Sequence, residues 1–313
     1  MLALANLACK LIGQAPSWEL TSRLRCEMSK SRAFTLVEML VAISVAVILL
    51  SLVFTAIHAA RESSRRIACV NNLKQIGLGL QNYESTHKKL PRACGDAGNG
   101  PLLAILPYVG YSTIYDSIDF ESAIYMDQQL MNTFVALYRC PATLWPEAPR
   151  TDYVLNRGTT LAEKRDSPWL FEERAFARTS SFSNGASGTA LLAETCPRLE
   201  GQSKGSMFFL PRRHILHEQD SINFCSECRS AGGGTPLSTI SNGRSWIGEG
   251  IANYYHLFPP NDRSCSNEGL IQSSLYTTIS MHSAGVNLAF ADGHIDFVSN
   301  HIDQETWLRI GKR

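Results

Sequence analysis

From Met39 to Ala60 the chain runs 22 residues without a formal charge, His58 apart. About 20 apolar residues suffice for a helix to cross a hydrocarbon core. Behind this run the pattern turns one-sided. Ile67, Val70, Leu73, Ile76, Leu80 and Tyr83 recur at spacings of three or four and form one apolar stripe, with polar residues opposite. Pro91 ends the pattern, and Lys88 and Lys89 sit where a helix C-terminus favours positive charge. The whole predicts one helix over residues 34–88, roughly 80 Å long at 1.5 Å per residue, with a membrane-crossing part over about 39–60. Gly77 and Gly79 predict a local bend or break. Two helices parted near Arg61–Arg66 are the alternative.

Residues 89–313 carry a different texture, rich in Gly, Pro, Ser and Asn, and are long enough for one substantial core or two lobes. Leu102–Tyr115 and Ala123–Leu137 read as short helices, the first limited by Pro107. Thr189–Ala193, Ser206–Leu210 and Val286–Phe290 read as strands, and Ser230–Asn242, with three consecutive glycines, as a mobile loop. Near the end, Asp292-Gly293 sits between two alternating runs and predicts a two-residue hairpin turn. That turn pairs Phe290 with Ile295 and Leu288 with Phe297 on one face, and puts Ala289 and Asp296 on the other. The fold class is therefore α+β: a long N-terminal helix followed by an antiparallel β-sheet head closed by a terminal hairpin.

The start of the apolar run carries the most specific chemistry. Lys30 and Arg32 precede the small Ala33, then comes Phe-Thr-Leu-Val-Glu, which places Glu38 at the head of an otherwise uncharged span. An ionisable residue in a membrane segment is costly and points to function. These residues resemble the type IV prepilin N-terminus. The resemblance implies a basic leader cut between Ala33 and Phe34, methylation of the new Phe34 amine, and retention of Glu38 for assembly. Ala33 stands where the family usually has Gly. In an assembly a neighbouring subunit's Phe34 amine would neutralise Glu38 and set the axial register of one helix on the next. An ordinary signal anchor with an interfacial Glu is the competing reading. Residues 1–33 are then leader, of which 1–27 look like an over-long start, since Met28 would open a compact six-residue leader. Five basic and two acidic residues give the leader +3; the whole chain is +1, so the remainder is −2. Such near-neutrality leaves no electrostatic footprint for nucleic acid. Positive charge before the span predicts a cytoplasmic N-terminus and an exported head.

A second resemblance covers most of the chain beyond the leader. His282, nine residues, then Asp292-Gly293 resembles the C-terminal signature of a large bacterial family of exported prepilin-like proteins of unknown function. Arg65–Pro91, Leu106–Gly110, Tyr138–Ala142, Ser183–Glu194 and Pro259–Cys265 resemble its other landmarks in the right order. Asn184 and Gly188 depart from its usual residues. Membership implies pilin-like architecture and export, but no reaction. For the residues themselves, Asp292 and Gly293 make a turn and His282 bonds a nearby loop backbone. The alternative is a metal site from His282, Asp292, His294 and Asp296, with calcium suggested by related pseudopilins; no other cofactor is expected. The chain has no nucleophile elbow, P-loop or HExxH, so no catalytic residue is assigned.

Seven cysteines follow the leader: Cys69, Cys94, Cys140, Cys196, Cys225, Cys228 and Cys265. Export makes them disulfide candidates, and the odd count leaves one over unless a bond joins two chains. Cys225 and Cys228 form a lone CxxC, read as two separate disulfide halves or one local bridge. Tyr254, Tyr255, His256 and Phe258 read as core beneath a loop, with a sugar-stacking platform as the alternative.

The resulting expectation is a non-enzymatic structural subunit. A prepilin peptidase would process it, and other pilin-like subunits and an inner-membrane assembly platform would be its partners. It would be single-pass in the inner membrane, with the head periplasmic or extracellular, even on a cell-surface filament. A membrane-tethered exported module that binds glycan or metal without polymerising is the second expectation, and an exported hydrolase the third.

Overall fold

Helix α1, Leu36–His87, begins at a cap that the sequence supplies. The computed structural model describes residues 35–92, 100–121, 124, 127–143, 150–161, 177–196, 207–210, 218–232, 245–247, 252–267, 274–282 and 284–312. The chain divides into two units, with the boundary inside α1 between Thr55 and Ala56. In the first unit the described residues are Thr35 and the helix that follows. Its large side chains from Leu36 to Phe54 are exposed, Leu36 at 80%. No part of the 18-residue apolar window is buried. Length and composition thus make α1 a candidate membrane span.

The second unit, Ala56–Arg313, holds the rest of α1 and the head. Here α1 buries Cys69, Leu73, Ile76, Gly77, Gly79 and Leu80. The apolar stripe therefore starts at Cys69, and Ile67, expected on it, is 59% exposed. The glycines do not break the helix, which runs through them to His87. They face the core, where a Cβ on Gly79 would stand 2.5 Å from Val109 Cγ1 and one on Gly77 would meet Ala289 Cβ at 3.8 Å. Their missing side chains let the helix approach closely, which outweighs their poor helix propensity.

The main sheet has five strands: β1 Tyr153–Asn156, β2 Ala190–Glu194, β4 Asn253–Tyr254, β7 Gly285–Phe290 and β8 Ile295–Ser299. Their order is β4-β1-β2-β7-β8. All pairs are antiparallel except β1 with β4, so the expected antiparallel sheet gains a parallel edge. Every residue of β1, β2 and β7 is buried, as in a sheet covered on both faces. A smaller sheet, in the order β3-β5-β6, joins β3 Met207–Phe209, β5 Ser264–Ser266 and β6 Ser274–Leu275.

The hairpin register is off by one from the expected pairing. Ala289 pairs with Ile295, Leu288 with Asp296 and Asn287 with Phe297. The loop is Ala291-Asp292-Gly293, closed by Phe290 N–H donating to the His294 carbonyl. A two-residue type I′ turn needs positive φ at both central residues; Gly293 has it, at 89°, and Asp292 does not. The slip turns Asn287, Ala289, Ile295 and Phe297 toward α1, where the Arg66 guanidinium lies 4.3 Å from the Phe297 ring centroid.

The expected helix over 102–115 is three short pieces: α2 Pro101–Ala104, a 3-10 turn at Leu106–Val109 and α3 Ser112–Asp116. Pro107 and the left-handed Gly110 divide them. The described part of 123–137 contains α4 Gln128–Met131 and a 3-10 turn at Ala136–Tyr138. Two helices were not foreseen, α5 Glu218–Ser230 and α6 Gln304–Ile310. Most of the expected loop over 230–242 lies outside the described residues. A large core joins α1, the main sheet, Trp246 and Trp307; a smaller one joins α5 to the second sheet through Phe224, Phe258 and Leu275.

Candidate functional site

Two places carry chemistry. The first is the head of α1. Thr35 caps the helix in a reciprocal box with Glu38: Glu38 N–H donates to Thr35 Oγ1 at 3.3 Å, and Thr35 N–H donates to Glu38 Oε2 at 2.9 Å. The Thr35 hydroxyl also donates to Oε2, at 3.0 Å. This Thr-x-x-Glu capping box was legible in the sequence and was missed. Glu38 is therefore partnered through one oxygen, while Oε1 takes no bond among the described residues. Ala33 and Phe34 lie outside the described residues.

The second place lies where α1 meets the centre of the main sheet. Cys69 on α1 is bonded to Cys140, with Cα atoms 4.9 Å apart. Cys140 is fixed by its surroundings. Its N–H donates to Asp152 Oδ2 at 2.8 Å, and Asp152 Oδ1 receives Arg139 Nη1 at 2.9 Å. Burial pushes the Asp152 carboxyl up to about 6, against the pull of Arg139. On the α1 side, Tyr153 Oη donates to the Cys69 carbonyl and Asn72 to the Arg139 carbonyl.

His282 sits beside this disulfide, 3% exposed. Its Nε2 is 4.0 Å from Cys140 Sγ and 3.8 Å from Glu194 Oε1; its Nδ1 is 3.4 Å from Glu62 Oε1. Glu194, at the end of β2, is held by Asn287 on β7, through Nδ2 at 2.8 Å and the backbone N–H at 3.1 Å. Glu62 sits on α1 at the solvent edge, and the bond from Arg65 keeps its carboxyl below the usual range. A chain of bonds positions His282. Its N–H donates to Ser280 Oγ, and Ser280 N–H donates to Asn261 Oδ1. Asn261 takes a left-handed φ of 62° and donates to the Gly285 carbonyl at the start of the hairpin. Neither Glu62 nor Asn261 was singled out in the sequence; nothing local distinguishes them.

The metal set His282, Asp292, His294 and Asp296 is not brought together. Among the described residues the group that converges is Cys69, Cys140 and His282, whose ligand atoms lie within 4.8 Å of one another. Asp292 and His294 instead bond each other at the exposed hairpin tip. Burial raises the Asp292 carboxyl there, and the His294 backbone and ring more than offset it, so it ends below its ordinary value. Gly293 lies against Gln81, which donates to the Ala291 carbonyl at 2.9 Å and ties the tip to α1.

Cys228 on α5 is bonded to Cys265 on β5. The CxxC therefore makes no local bridge, since Cys225 keeps a half-buried thiol that burial pushes up to about 11. Cys196 is buried, and Cys94 lies outside the described residues. Tyr254, Tyr255, His256 and Phe258 are all buried, so these rings fill core and present no stacking platform.

Residues 28–54 match the prokaryotic N-terminal methylation motif. Residues 58–305 match a protein family of unknown function, DUF1559. No curated protein and no solved structure matches the chain. The methylation motif marks a prepilin-like protein of the type IV pilin family; it implies processing by a prepilin peptidase and assembly with other pilin-like subunits. With the exposed apolar helix it also indicates a single-pass membrane anchor. Because the second match spans 248 of the 313 residues, the chain belongs to the DUF1559 family and is a prepilin-like member of it.

Proposed function

We propose that the protein is a structural subunit, cut between Ala33 and Phe34 and assembled through α1 into a pilus or a secretion pseudopilus. The observation that carries this reading is the methylation motif lying on an apolar helix that no described residue of its own unit covers, with one acid, Glu38, in the first turn. In lipid, or among sister helices, that surface is satisfied; in water it is not. Glu38 keeps one oxygen for its own cap and has the other available to a neighbour's Phe34 amine. The basic residues before the span favour a cytoplasmic N-terminus and a periplasmic or extracellular head. The chain itself is not catalytic on this reading. The work of assembly comes from a membrane platform and its ATPase.

Replacing Glu38 with Ala tests the reading. Membrane insertion and peptidase cleavage persist, while the sheared polymer fraction falls at least tenfold. Unchanged polymer from Glu38→Ala cells would remove the main support for assembly.

A further inference from the structure

We propose that the Cys69–Cys140 pair, once reduced, forms with His282 and Glu194 a tetrahedral site for a zinc-class divalent cation. The disulfide and the metal are alternative states of one side-chain cluster at the α1–sheet junction.

The donor set fits such an ion. Two thiolates, one imidazole and one carboxylate are within the usual zinc repertoire. Cys69, Cys140, His282 and Glu194 are all buried, which suits a closed site. The two sulfurs and the imidazole nitrogen lie within 4.8 Å of one another. Tetrahedral zinc with ligand distances of about 2.0–2.3 Å sets its ligand atoms about 3.5–3.8 Å apart, so side-chain shifts of about an ångström suffice for these three. Glu194, whose Oε1 is 3.8 Å from Nε2 but which is outside that group, moves farther to join them. The Cα separation of 4.9 Å keeps both sulfurs in reach of a common point after reduction.

The second observation is the imidazole's orientation. Nδ1 faces Glu62 Oε1 at 3.4 Å, while Nε2 faces Cys140 Sγ and Glu194 Oε1. Metal-binding histidines commonly donate their other ring N–H to a carboxylate, which fixes the tautomer and aims the free nitrogen at the ion. Glu62 fills that role, and Arg65 anchors it.

The chemistry balances. A dithiol reductant gives two electrons and two protons to the disulfide and becomes a cyclic disulfide itself. A divalent cation then displaces the two thiol protons as it binds. A disulfide oxidant that takes two electrons from the two thiolates, and is itself reduced to a dithiol, forms the Cys69–Cys140 bond and releases the ion, so the metal belongs to the chain before its disulfide forms.

The test uses the full chain in detergent, reduced with dithiothreitol, freed of reductant without oxygen, and titrated with cobalt(II) and then zinc(II). The reduced chain should develop a thiolate-to-cobalt charge-transfer band that one equivalent of zinc abolishes; the oxidised chain should not. Zinc should slow alkylation of Cys69 and Cys140 at least tenfold, mapped by mass spectrometry, and leave Cys225 unaffected. His282→Ala should weaken zinc binding more than tenfold, and Glu62→Gln, at the solvent edge, about tenfold. No charge-transfer band from the reduced wild-type chain, or protection confined to Cys228 and Cys265, overturns the proposal. The alkylation map of the wild-type chain decides the matter even if His282→Ala does not fold.

Discussion

Gly77 and Gly79 lie two positions apart on α1, yet substitution by alanine should move stability in opposite directions. Either change adds helix propensity worth about 1 kcal/mol. At Gly77 the new Cβ meets Ala289 Cβ at 3.8 Å, an ordinary contact, so most of that gain survives. At Gly79 the new Cβ would stand 2.5 Å from Val109 Cγ1, with two Ile105 carbons at 3.5 and 3.7 Å. Val109 is stiff at χ1 and cannot simply swing away. Overpacking of this kind costs about 1–3 kcal/mol, which, against the propensity gain, leaves Gly79→Ala destabilised by up to about 2 kcal/mol. The folded unit is Ala56–Arg313, 258 residues. At roughly 2 cal/mol/K per residue its unfolding entropy makes 1 kcal/mol worth about 2 °C. Gly77→Ala should therefore raise Tm by about 1–2 °C, and Gly79→Ala should lower it by up to about 4 °C. Near-ultraviolet circular dichroism of the detergent-solubilised chain is the assay, because buried Trp246 and Trp307 report core packing. A Gly79→Ala protein as stable as Gly77→Ala would refute the close approach of α1 to the Ile105–Val109 segment.

Two further predictions follow from the head. Burial lowers the His256 pKa from its ordinary 6.5 to about 3. Below pH 6.5 the unfolded chain then takes up a proton that the folded one refuses. Stability should fall by about 1.4 kcal/mol per pH unit as pH drops from 6.5 toward 3. His256→Gln should flatten that slope in melts taken at several pH values, and an unaltered slope would contradict it. At the hairpin tip, Gly293→Ala forces a Cβ onto a φ of 89°, at about 1–2 kcal/mol. Hydrogen exchange at the Phe290 and Gly293 amides should speed up about tenfold, whereas no change would mean the loop is not left-handed there.

The sequence was most legible where periodicity is long. The apolar run and stripe gave α1 and its end before Pro91, and β2, β3 and β7 were visible as short β-rich runs. The stripe's edge was misplaced because Cys69 counts as apolar only once it is buried and bonded, so Ile67 seemed the better member. Asp292-Gly293 announced a turn but not its length, since the dipeptide serves two- and three-residue loops alike. α5, Glu-Gln-Asp-Ser-Ile-Asn-Phe-Cys-Ser-Glu-Cys-Arg-Ser, has too few apolar residues to show a stripe; Cys228, held to β5, and Phe224 anchor it. The cluster around His282 draws on α1, β2 and the segments before β1 and β7. No local spacing could reveal it, although His282 drew notice alone.

The central claim is that the chain is cut at the Ala33–Phe34 bond and works through its exposed helix. N-terminal mass spectrometry of the protein recovered from native membranes tests it most directly. The account predicts a chain that begins at Phe34 with a methylated amine. A chain that begins upstream of Ala33, with an unmodified terminus, would contradict it.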